Sequence, residues 1–387
     1  MKTAEGSAGP VILFTHRDIA YERRQSLGLG PHGEALVLAR KRTHDNILEE
    51  VLVKCVELPT GEPSPKTLLI RARLEEEARL SEYLRHRSLL RVLCVHETPQ
   101  ALYTVCEYFQ GPTLDDLVTL ALERAVPLTE AFILYVGAEL ASALDHVHTC
   151  QDEHGQGLGI VHRNISLPSI GFTANGAVKL ADFSLAYSRL PGRSATTERR
   201  PRGSLFFTAP ETLFEGTVDG RSDLFALGLV LLELANGRHL YDPAHKRASD
   251  LVAALTPLER KRVEREVRIA LKAGYDDATQ QALWGAATFT PADVEAAVEG
   301  LSLPLRSLLR RLLRRDPAER FQTAAELEAA LRARLAEVGP YGSAEAVAEV
   351  RKAVADASST VASHGASLGL LLPEPARERA PRRVSTR

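Results

Sequence analysis

The sequence GIVHRNISLPSI, residues 159–170, followed by VKLADFSLA, residues 178–186, decides how the rest of the chain is interpreted. Its second part predicts a short strand with alternating apolar residues, and Asp182 comes directly after that strand. A carboxylate at a strand end that faces a cleft is a candidate ligand for Mg²⁺, which prefers hard oxygen donors. Taken singly, Asp182 is more often a turn residue that caps the next segment, and His162 is more often a satisfied core histidine. Both residues therefore need support from other parts of the sequence.

A glycine-rich loop, LGLGPHG at residues 27–33, lies between two strand-like segments. Gly28, Gly30 and Gly33 would let the backbone approach a polyphosphate closely and point N–H groups at it. From this stretch alone, a plain glycine-rich hairpin is an equal alternative. Because a strand follows the loop instead of a helix, the spacing disfavours a dinucleotide-binding fold.

Lys54 interrupts the apolar strand VLVKCV at residues 51–56. Burial of an unpaired ammonium is costly, so a lysine in this strand needs a partner. Glu77, on the helix predicted next, is a plausible one. The alternative is an edge-strand lysine in solvent together with a glutamate on a solvated helix face.

Composition and charge are typical of a soluble globular protein. The 387 residues are 44% hydrophobic and 25% charged, with a formal net charge of −2. That balance gives no global reason to expect a nucleic acid or an anionic membrane as partner. No window reaches about eighteen apolar residues, so we expect no membrane span and a cytoplasmic location. The four cysteines include no CxxC pair and are predicted to be reduced and buried.

The predicted elements divide the chain into four regions. Residues 1–20 lack periodicity and are predicted to be a lead-in. Residues 21–110 are rich in strand patterns with one helix at about 71–84, and residues 111–335 are mainly helical. Residues 336–387 are predicted to be a partly disordered tail, because the last part is rich in Pro and Arg. The sequence thus predicts an α+β fold with a small β-rich lobe and a larger helical lobe, and ligands favour clefts between lobes.

Eight motifs in a fixed order resemble the motif set of eukaryotic-like Ser/Thr protein kinases. The resemblance covers residues 21–335, and the motif residues are Gly28-x-Gly30-x-x-Gly33, Lys54, Glu77, His162-Arg163-Asn164, Asp182-Phe183-Ser184, Ala209-Pro210-Glu211, Asp223 and Arg320. It implies a two-lobed protein-kinase-like fold. The segment at 159–170 is especially similar to bacterial members of the family, in which a serine, here Ser166, replaces the lysine common elsewhere.

The resemblance implies a role for each retained binding residue. Backbone N–H groups of the glycine-rich loop would cover the phosphates of ATP, Lys54 would contact them while it pairs with Glu77, and Asp182 would hold Mg²⁺. The Glu107 carbonyl and the Phe109 amide would bind adenine. These residues together predict an ATP site between the lobes.

The resemblance also implies structural roles in the helical lobe. Glu211 and Arg320 would form a buried ion pair whose one-sided disruption destabilises the protein. Asp223 would be structural, at the start of an apolar central helix. That helix is predicted to begin after Ser222 as its N-cap and to end at Gly237.

Three positions depart from the family pattern. Asn164 stands where the family has an aspartate that accepts or orients the substrate proton, and a carboxamide cannot take up a proton at pH 7. Ser169 stands where an asparagine would hold a second Mg²⁺, so metal binding is expected to be weak or limited to one site at Asp182. Ser184 replaces a glycine and restricts the backbone. Loss of a general base typically costs about 10²–10⁴ in rate, whereas the groups that would cradle ATP are unchanged.

These departures leave the function open between two classes. The favoured interpretation is a pseudokinase that binds ATP and presents a surface to a protein partner in a signalling pathway. The alternative is a slow but active Ser/Thr protein kinase that transfers the ATP γ-phosphate to protein hydroxyls, since phosphoryl transfer depends mainly on positioning and electrostatics. A third interpretation is a scaffold that binds no nucleotide.

Overall fold

The computed structural model describes residues 11–43, 46–191, 204–214, 218–241, 254–272 and 277–362, with side chains to residue 356. A small β-rich lobe precedes a larger helical lobe, as the predicted fold class requires. Within these residues, none of the helices combines the length and apolar character needed to cross a membrane.

The small lobe is built on a six-stranded antiparallel sheet with the strand order β1-β2-β3-β4-β6-β5. Its strands are β1 (Ile12–His16), β2 (Ile19–Leu29), β3 (Ala35–Arg42), β4 (Ile47–Glu57), β5 (Val92–Glu97) and β6 (Ala101–Glu107). The predicted lead-in, residues 1–20, is corrected here, because residues 12–20 form β1 and the start of β2. Phe14 holds this edge in place by packing into the core of the sheet, stacked on Tyr21 with ring centroids 4.5 Å apart.

The helix of the small lobe, α1 (Pro65–Ser81), begins earlier than the predicted position near residue 71. The Ser64 hydroxyl caps it by accepting a hydrogen bond from the Thr67 N–H, and Pro65 at the first helical position has no N–H that would need a partner. Leu74, Glu77 and Leu80 are buried and follow one another at a spacing of three, so they share one face. The helix therefore presents Glu77 to the sheet.

The large lobe is mainly helical and also contains a two-stranded sheet of β7 (Ile170–Phe172) and β8 (Val178–Leu180). Its described helices are α2 (Leu114–Arg124), α3 (Glu130–Thr149), α4 (Pro210–Leu213), α5 (Gly220–Asn236), α6 (Pro257–Lys272), α7 (Asp277–Thr288), α8 (Pro291–Ala297), α9 (Leu303–Leu312), α10 (Ala324–Val338) and α11 (Ser343–Ala362). The central helix α5 begins at Gly220 and not after Ser222, because Asp219 is its N-cap and accepts from the Arg221 N–H at 2.9 Å. The Ser222 hydroxyl donates to Glu211 instead.

The region predicted as a tail, residues 336–387, contains a helix that packs on the large lobe. Helix α11 contacts α2, and Ala346 and Val350 are buried. Glu349 accepts hydrogen bonds from the N–H and the hydroxyl of Thr129, at 2.7 and 2.6 Å. The start of the tail is thus part of the core, whereas the final stretch rich in Pro and Arg lies outside the described residues.

Candidate nucleotide-binding site

Strand β4 and helix α1 bring Lys54 and Glu77 together. The Lys54 ammonium donates to both carboxylate oxygens of Glu77, at 2.7 and 2.8 Å. Both side chains are buried, with exposures of 6% and 5%. Burial lowers the pKa of Lys54, but the carboxylates of Glu77 and Asp182 outweigh burial, so the pKa lies above its ordinary value. The lysine is therefore a fixed cation, and its nitrogen lies 3.9 Å from Asp182.

The glycine-rich loop connects β2 to β3 in a tight turn. Gly28 and Gly33 have φ values of +90° and +92°, which glycine adopts without strain. The Gly33 N–H donates to the Gly30 carbonyl at 3.0 Å, and the Gly30 N–H donates to the Glu34 carbonyl at 2.7 Å. The His32 N–H donates to the buried Glu34 carboxylate at 3.1 Å. These three N–H groups, which the resemblance assigns to phosphates, are thus engaged within the turn.

Asp182 is the second residue after β8 and accepts hydrogen bonds from three other side chains. Its Oδ2 accepts from Asn164 Nδ2 at 2.7 Å and lies 3.0 Å from His32 Nε2, while Oδ1 accepts from the Ser184 hydroxyl at 2.6 Å. Burial raises the pKa of Asp182, but the Lys54 ammonium and the hydrogen bonds from His32 and Ser184 hold it well below its usual range. An ionised carboxylate can only accept, so His32 Nε2 carries the proton in this contact.

Asn164 connects Asp182 to the segment that begins at Ser204. Its Oδ1 accepts a hydrogen bond from the Ser204 N–H at 3.1 Å, and its Nδ2 donates to Asp182. The side chain is 8% exposed. The residue at the position of the family's base is therefore a buried bridge whose two ends are both engaged.

His162 is a satisfied core histidine, which was the simpler of its two interpretations. It is fully buried, and its Nε2 contacts the Ala181 carbonyl at 3.1 Å while Nδ1 accepts from the Asn164 N–H at 3.2 Å. This pattern sets the neutral tautomer with the proton on Nε2, and burial lowers the pKa of His162. Asp223 supports the same loop, because its carboxylate accepts from the N–H groups of His162 and Arg163 at 2.8 and 2.9 Å.

Ser169 uses its hydroxyl within its own loop. The hydroxyl donates to the Ser166 carbonyl at 2.8 Å and accepts from the Ser166 N–H at 3.0 Å. The Ser169 carbonyl accepts from the Ala181 N–H at 2.9 Å. The position assigned to a second metal thus stabilises the connection between this loop and the end of β8.

Residues of the predicted adenine segment link the two lobes. The Glu107 carboxylate pairs with Lys179 at 3.1 Å. The Phe109 ring lies over Gly171 in β7, and it occupies the space that a Cβ on residue 171 would fill. The large lobe therefore contributes a bare backbone to this contact, and the aromatic ring comes from the small-lobe side.

The cysteines are all free thiols, and their predicted burial holds for one of them. Cys106, in β6, is buried, and burial raises the pKa of its thiol to about 12. Cys55, Cys94 and Cys150 are half-buried. The buried thiol is unreactive at neutral pH, because nucleophilic reactions need the thiolate.

A divalent metal does not fit the residues around Asp182 as they are arranged. Both carboxylate oxygens already accept hydrogen bonds, Asn164 turns the donor end of its amide toward them, and the Ser169 hydroxyl is engaged by Ser166. In the part of the chain that the structure describes, no group of three or more His, Cys, Asp or Glu side chains is placed to hold a metal ion.

The interpretation of the sequence missed His32. Its position between Gly30 and Gly33 places it at the tip of the β2–β3 turn, and that position could have indicated a side chain able to reach the acid after β8. The Phe109–Gly171 contact was also missed, because it joins residues far apart in sequence and depends on the absence of a side chain.

A lysine–glutamate pair between a sheet and its helix, an acid after a short strand and a two-lobed fold are together features of the protein kinase fold. Comparison with known families agrees, since the protein kinase domain matches residues 21–331. The chain therefore belongs to the protein kinase family.

The individual relatives share between 26% and 28% of their residues with this chain over the matched regions. The serine/threonine-protein kinase PknB of Mycobacterium tuberculosis is 28% identical over 322 residues, which are 82% of this chain and 43% of that protein. The serine/threonine-protein kinase PrkC of Bacillus subtilis is 27% identical over 257 residues, 66% of this chain and 33% of that protein. The CTD kinase subunit alpha of Schizosaccharomyces pombe is 26% identical over 235 residues, 60% of this chain and 36% of that protein. The match thus covers less than half the length of these relatives.

Proposed function

We propose that the chain is a pseudokinase, a protein-kinase-like module that binds ATP and has lost efficient phosphotransfer. One observation carries the proposal: the amide nitrogen of Asn164 donates to Asp182 at 2.7 Å. The group at the position of the base is therefore a hydrogen-bond donor that is already engaged. Such a group cannot accept a proton from a substrate hydroxyl.

Nucleotide binding in this proposal depends on Lys54. The ammonium is charged and fixed by Glu77, and it is the cation that the family places against the phosphates. Mg²⁺ contributes little to this binding, because both oxygens of Asp182 already accept hydrogen bonds and the second family position is Ser169, whose hydroxyl is engaged by Ser166. The adenine ring lies against the segment of Glu107 and Phe109.

The biological role that we propose is signalling through a protein partner in the cytoplasm. The net charge of −2 supports a protein partner over a nucleic acid. The bacterial relatives PknB and PrkC are named serine/threonine-protein kinases, which supports a place in phosphorylation-based signalling.

A second candidate is a slow, active Ser/Thr kinase. The formed Lys54–Glu77 ion pair favours it, because active protein kinases need this pair in place. In that case the substrate would be a protein hydroxyl, and the positioning of this hydroxyl against the ATP γ-phosphate would allow phosphotransfer without a general base.

Two assays on the full chain decide between these functions. Thermal unfolding with and without ATP measures binding, since a ligand selective for the native state raises Tm. Incubation with γ-labelled ATP measures phosphotransfer to the chain itself and to a generic protein substrate. Lys54→Met is the test variant, and Lys352→Met, an exposed lysine on α11, is its matched control.

The proposal expects a rise in Tm with ATP, no incorporation of label, and loss of the rise in Lys54→Met but not in Lys352→Met. Incorporation that disappears in Lys54→Met would establish the active kinase instead. Absence of any rise in Tm at millimolar ATP would contradict nucleotide binding and favour a scaffold.

A further inference from the structure

We propose that Asn164 is a positioning residue that keeps divalent metals away from Asp182, so that nucleotide binding at this site is independent of metal. The inference rests on the proposed nucleotide binding and deepens it. As a consequence, Asp182 weakens nucleotide binding in this protein, whereas the same residue strengthens it in a metal-dependent kinase. A carboxylate that would attract a metal–nucleotide complex in the family acts here only as a negative charge near the phosphates.

The orientation of the Asn164 amide follows from its two partners. Oδ1 meets the Ser204 N–H, a donor, and Nδ2 meets the Asp182 carboxylate, an acceptor. A reversed amide would face a donor with a donor at Ser204 and an acceptor with an acceptor at Asp182. An amide NH₂ group has no lone pair to offer a cation, so the Asn164 atom that faces Asp182 cannot become a second metal ligand.

The remaining hydrogen bonds of Asp182 oppose a metal in the same way. Ser184 donates to Oδ1 at 2.6 Å, and His32 reaches Oδ2 at 3.0 Å from the glycine-rich loop. Ser184 occupies the position where the family has glycine, which has no side chain to donate. Mg²⁺ demands near-octahedral geometry and gives up its waters reluctantly. A metal would have to displace these charge-assisted hydrogen bonds from a mostly buried carboxylate.

The charges near Lys54 then oppose a polyphosphate. Lys54 supplies one buried cation, whereas Asp182, Glu77 and Glu34 supply three carboxylates at or beside the site. Without a metal to compensate it, the charge of Asp182 weakens the binding of an anion. Removal of that charge should therefore tighten ATP binding. At a metal-dependent site, the same change would abolish ATP binding.

The test is the affinity for ATP measured by isothermal titration calorimetry in MgCl₂ and in EDTA. The variants are Asp182→Asn, which keeps the acceptor and removes the charge, and Asn164→Asp, which keeps the acceptor for Ser204 and replaces the donor to Asp182. Asn175→Asp is the matched control, because Asn175 is exposed in the β7–β8 turn and its side chain accepts a hydrogen bond there.

For the wild type, the inference expects ATP affinities in MgCl₂ and EDTA that agree within about twofold. Asp182→Asn should bind ATP about threefold or more tightly in EDTA. In Asn164→Asp, two carboxylates face each other and Asp182 no longer accepts a hydrogen bond from residue 164. Because the pair can then bind Mg²⁺, this metal should improve ATP binding about tenfold. Asn175→Asp should behave as the wild type does.

Two results would overturn the inference. One is a wild-type affinity about tenfold lower in EDTA than in MgCl₂, and the other is loss of ATP binding in Asp182→Asn. If ATP binds to no variant under either condition, the proposed function fails, and Mn²⁺ titration followed by electron paramagnetic resonance decides the metal question separately. The inference then expects no Mn²⁺ bound by the wild type, and Mn²⁺ binding that Asp182→Asn abolishes would refute it. Circular dichroism checks that Asn164→Asp is folded, and where it is not, Asp182→Asn alone decides.

Discussion

Two buried ion pairs, one in each lobe, have similar short distances but differ in how many N–H donors of the cation make hydrogen bonds. In the large lobe all five N–H groups of Arg320 donate, two of them to Glu211 at 2.8 Å and three to the carbonyls of Arg221, Arg314 and Arg315. In the small lobe the Lys54 ammonium donates twice to Glu77, and within the described part of the chain it makes no third hydrogen bond. A pair whose N–H donors are all engaged, here called saturated, stabilises the fold. An unsaturated pair such as Lys54–Glu77 keeps one N–H donor for a ligand.

The largest effect should come from Glu211→Gln, which keeps the shape of the side chain and removes its charge. Arg320, which is 1% exposed, would become a buried cation without a counter-ion. One-sided disruption of a buried pair costs about 3–5 kcal/mol, and we expect a loss of that size in the free energy of unfolding. Urea denaturation measures it.

Glu337→Gln is the matched control for this substitution. Glu337 pairs with Arg334 at the surface, where its side chain is 68% exposed. Loss of this pair should change the free energy of unfolding by less than about 1 kcal/mol. If Glu211→Gln cost no more than Glu337→Gln, the saturated pair would not be the structural element that its hydrogen bonds indicate.

Lys54→Met should cost less than Glu211→Gln, and the loss should depend on pH. Burial raises the pKa of Glu77 above its ordinary value of 4.5, so without Lys54 this carboxyl can take up a proton. A group whose pKa is raised in the folded state retains its contribution below its ordinary pKa and loses it as pH rises through the folded pKa. The destabilisation should therefore be small near pH 4.5 and grow to about 3 kcal/mol by about pH 8.

Unfolding of Lys54→Met and of the wild type in urea between about pH 5 and pH 8 measures this difference. Glu211→Gln provides the comparison, because the unpaired Arg320 cannot lose its proton in this range and its cost should not change with pH. If Lys54→Met lowered the free energy of unfolding by the same amount across this pH range, Glu77 would not take up a proton. The two pairs would then respond to pH in the same way.

Both ion pairs could be predicted from the sequence, Glu211–Arg320 from the resemblance alone and Lys54–Glu77 also from the patterns of a regular strand and helix. Lys54 interrupts an apolar strand, and Glu77 shares the buried face of α1 with Leu74 and Leu80. The two lobes followed from the change of periodicity near residue 110. The Lys54–Glu77 pair and the division into lobes depend on repeating geometry, in which spacing along the chain determines direction in space.

The contacts of Asp182 could not be predicted in the same way. They depend on the φ of +69° at Asp182 and on the conformations of two loops that bring His32 and Asn164 to it. The helix α11 was missed for a different reason. Its buried residues Ala346 and Val350 are small, so the apolar pattern is weak and the composition resembles that of a tail.

The smallest effects should come from two identical substitutions, Ser222→Ala and Ser184→Ala. Each serine donates to an inward-facing carboxylate at 2.6 Å, Ser222 to Glu211 and Ser184 to Asp182. Ser222→Ala should cost about 1.5 kcal/mol, because the lost hydrogen bond to a charged group in a closed cluster has no replacement. The Asp182 side chain is 14% exposed against 7% for Glu211, so water from the cleft can replace the Ser184 hydroxyl, and Ser184→Ala should cost less than about 1 kcal/mol. Urea denaturation of the two variants compares them directly. Equal losses would mean that the cleft is as closed as the large-lobe cluster, and the Lys54 site would then have no room for a ligand.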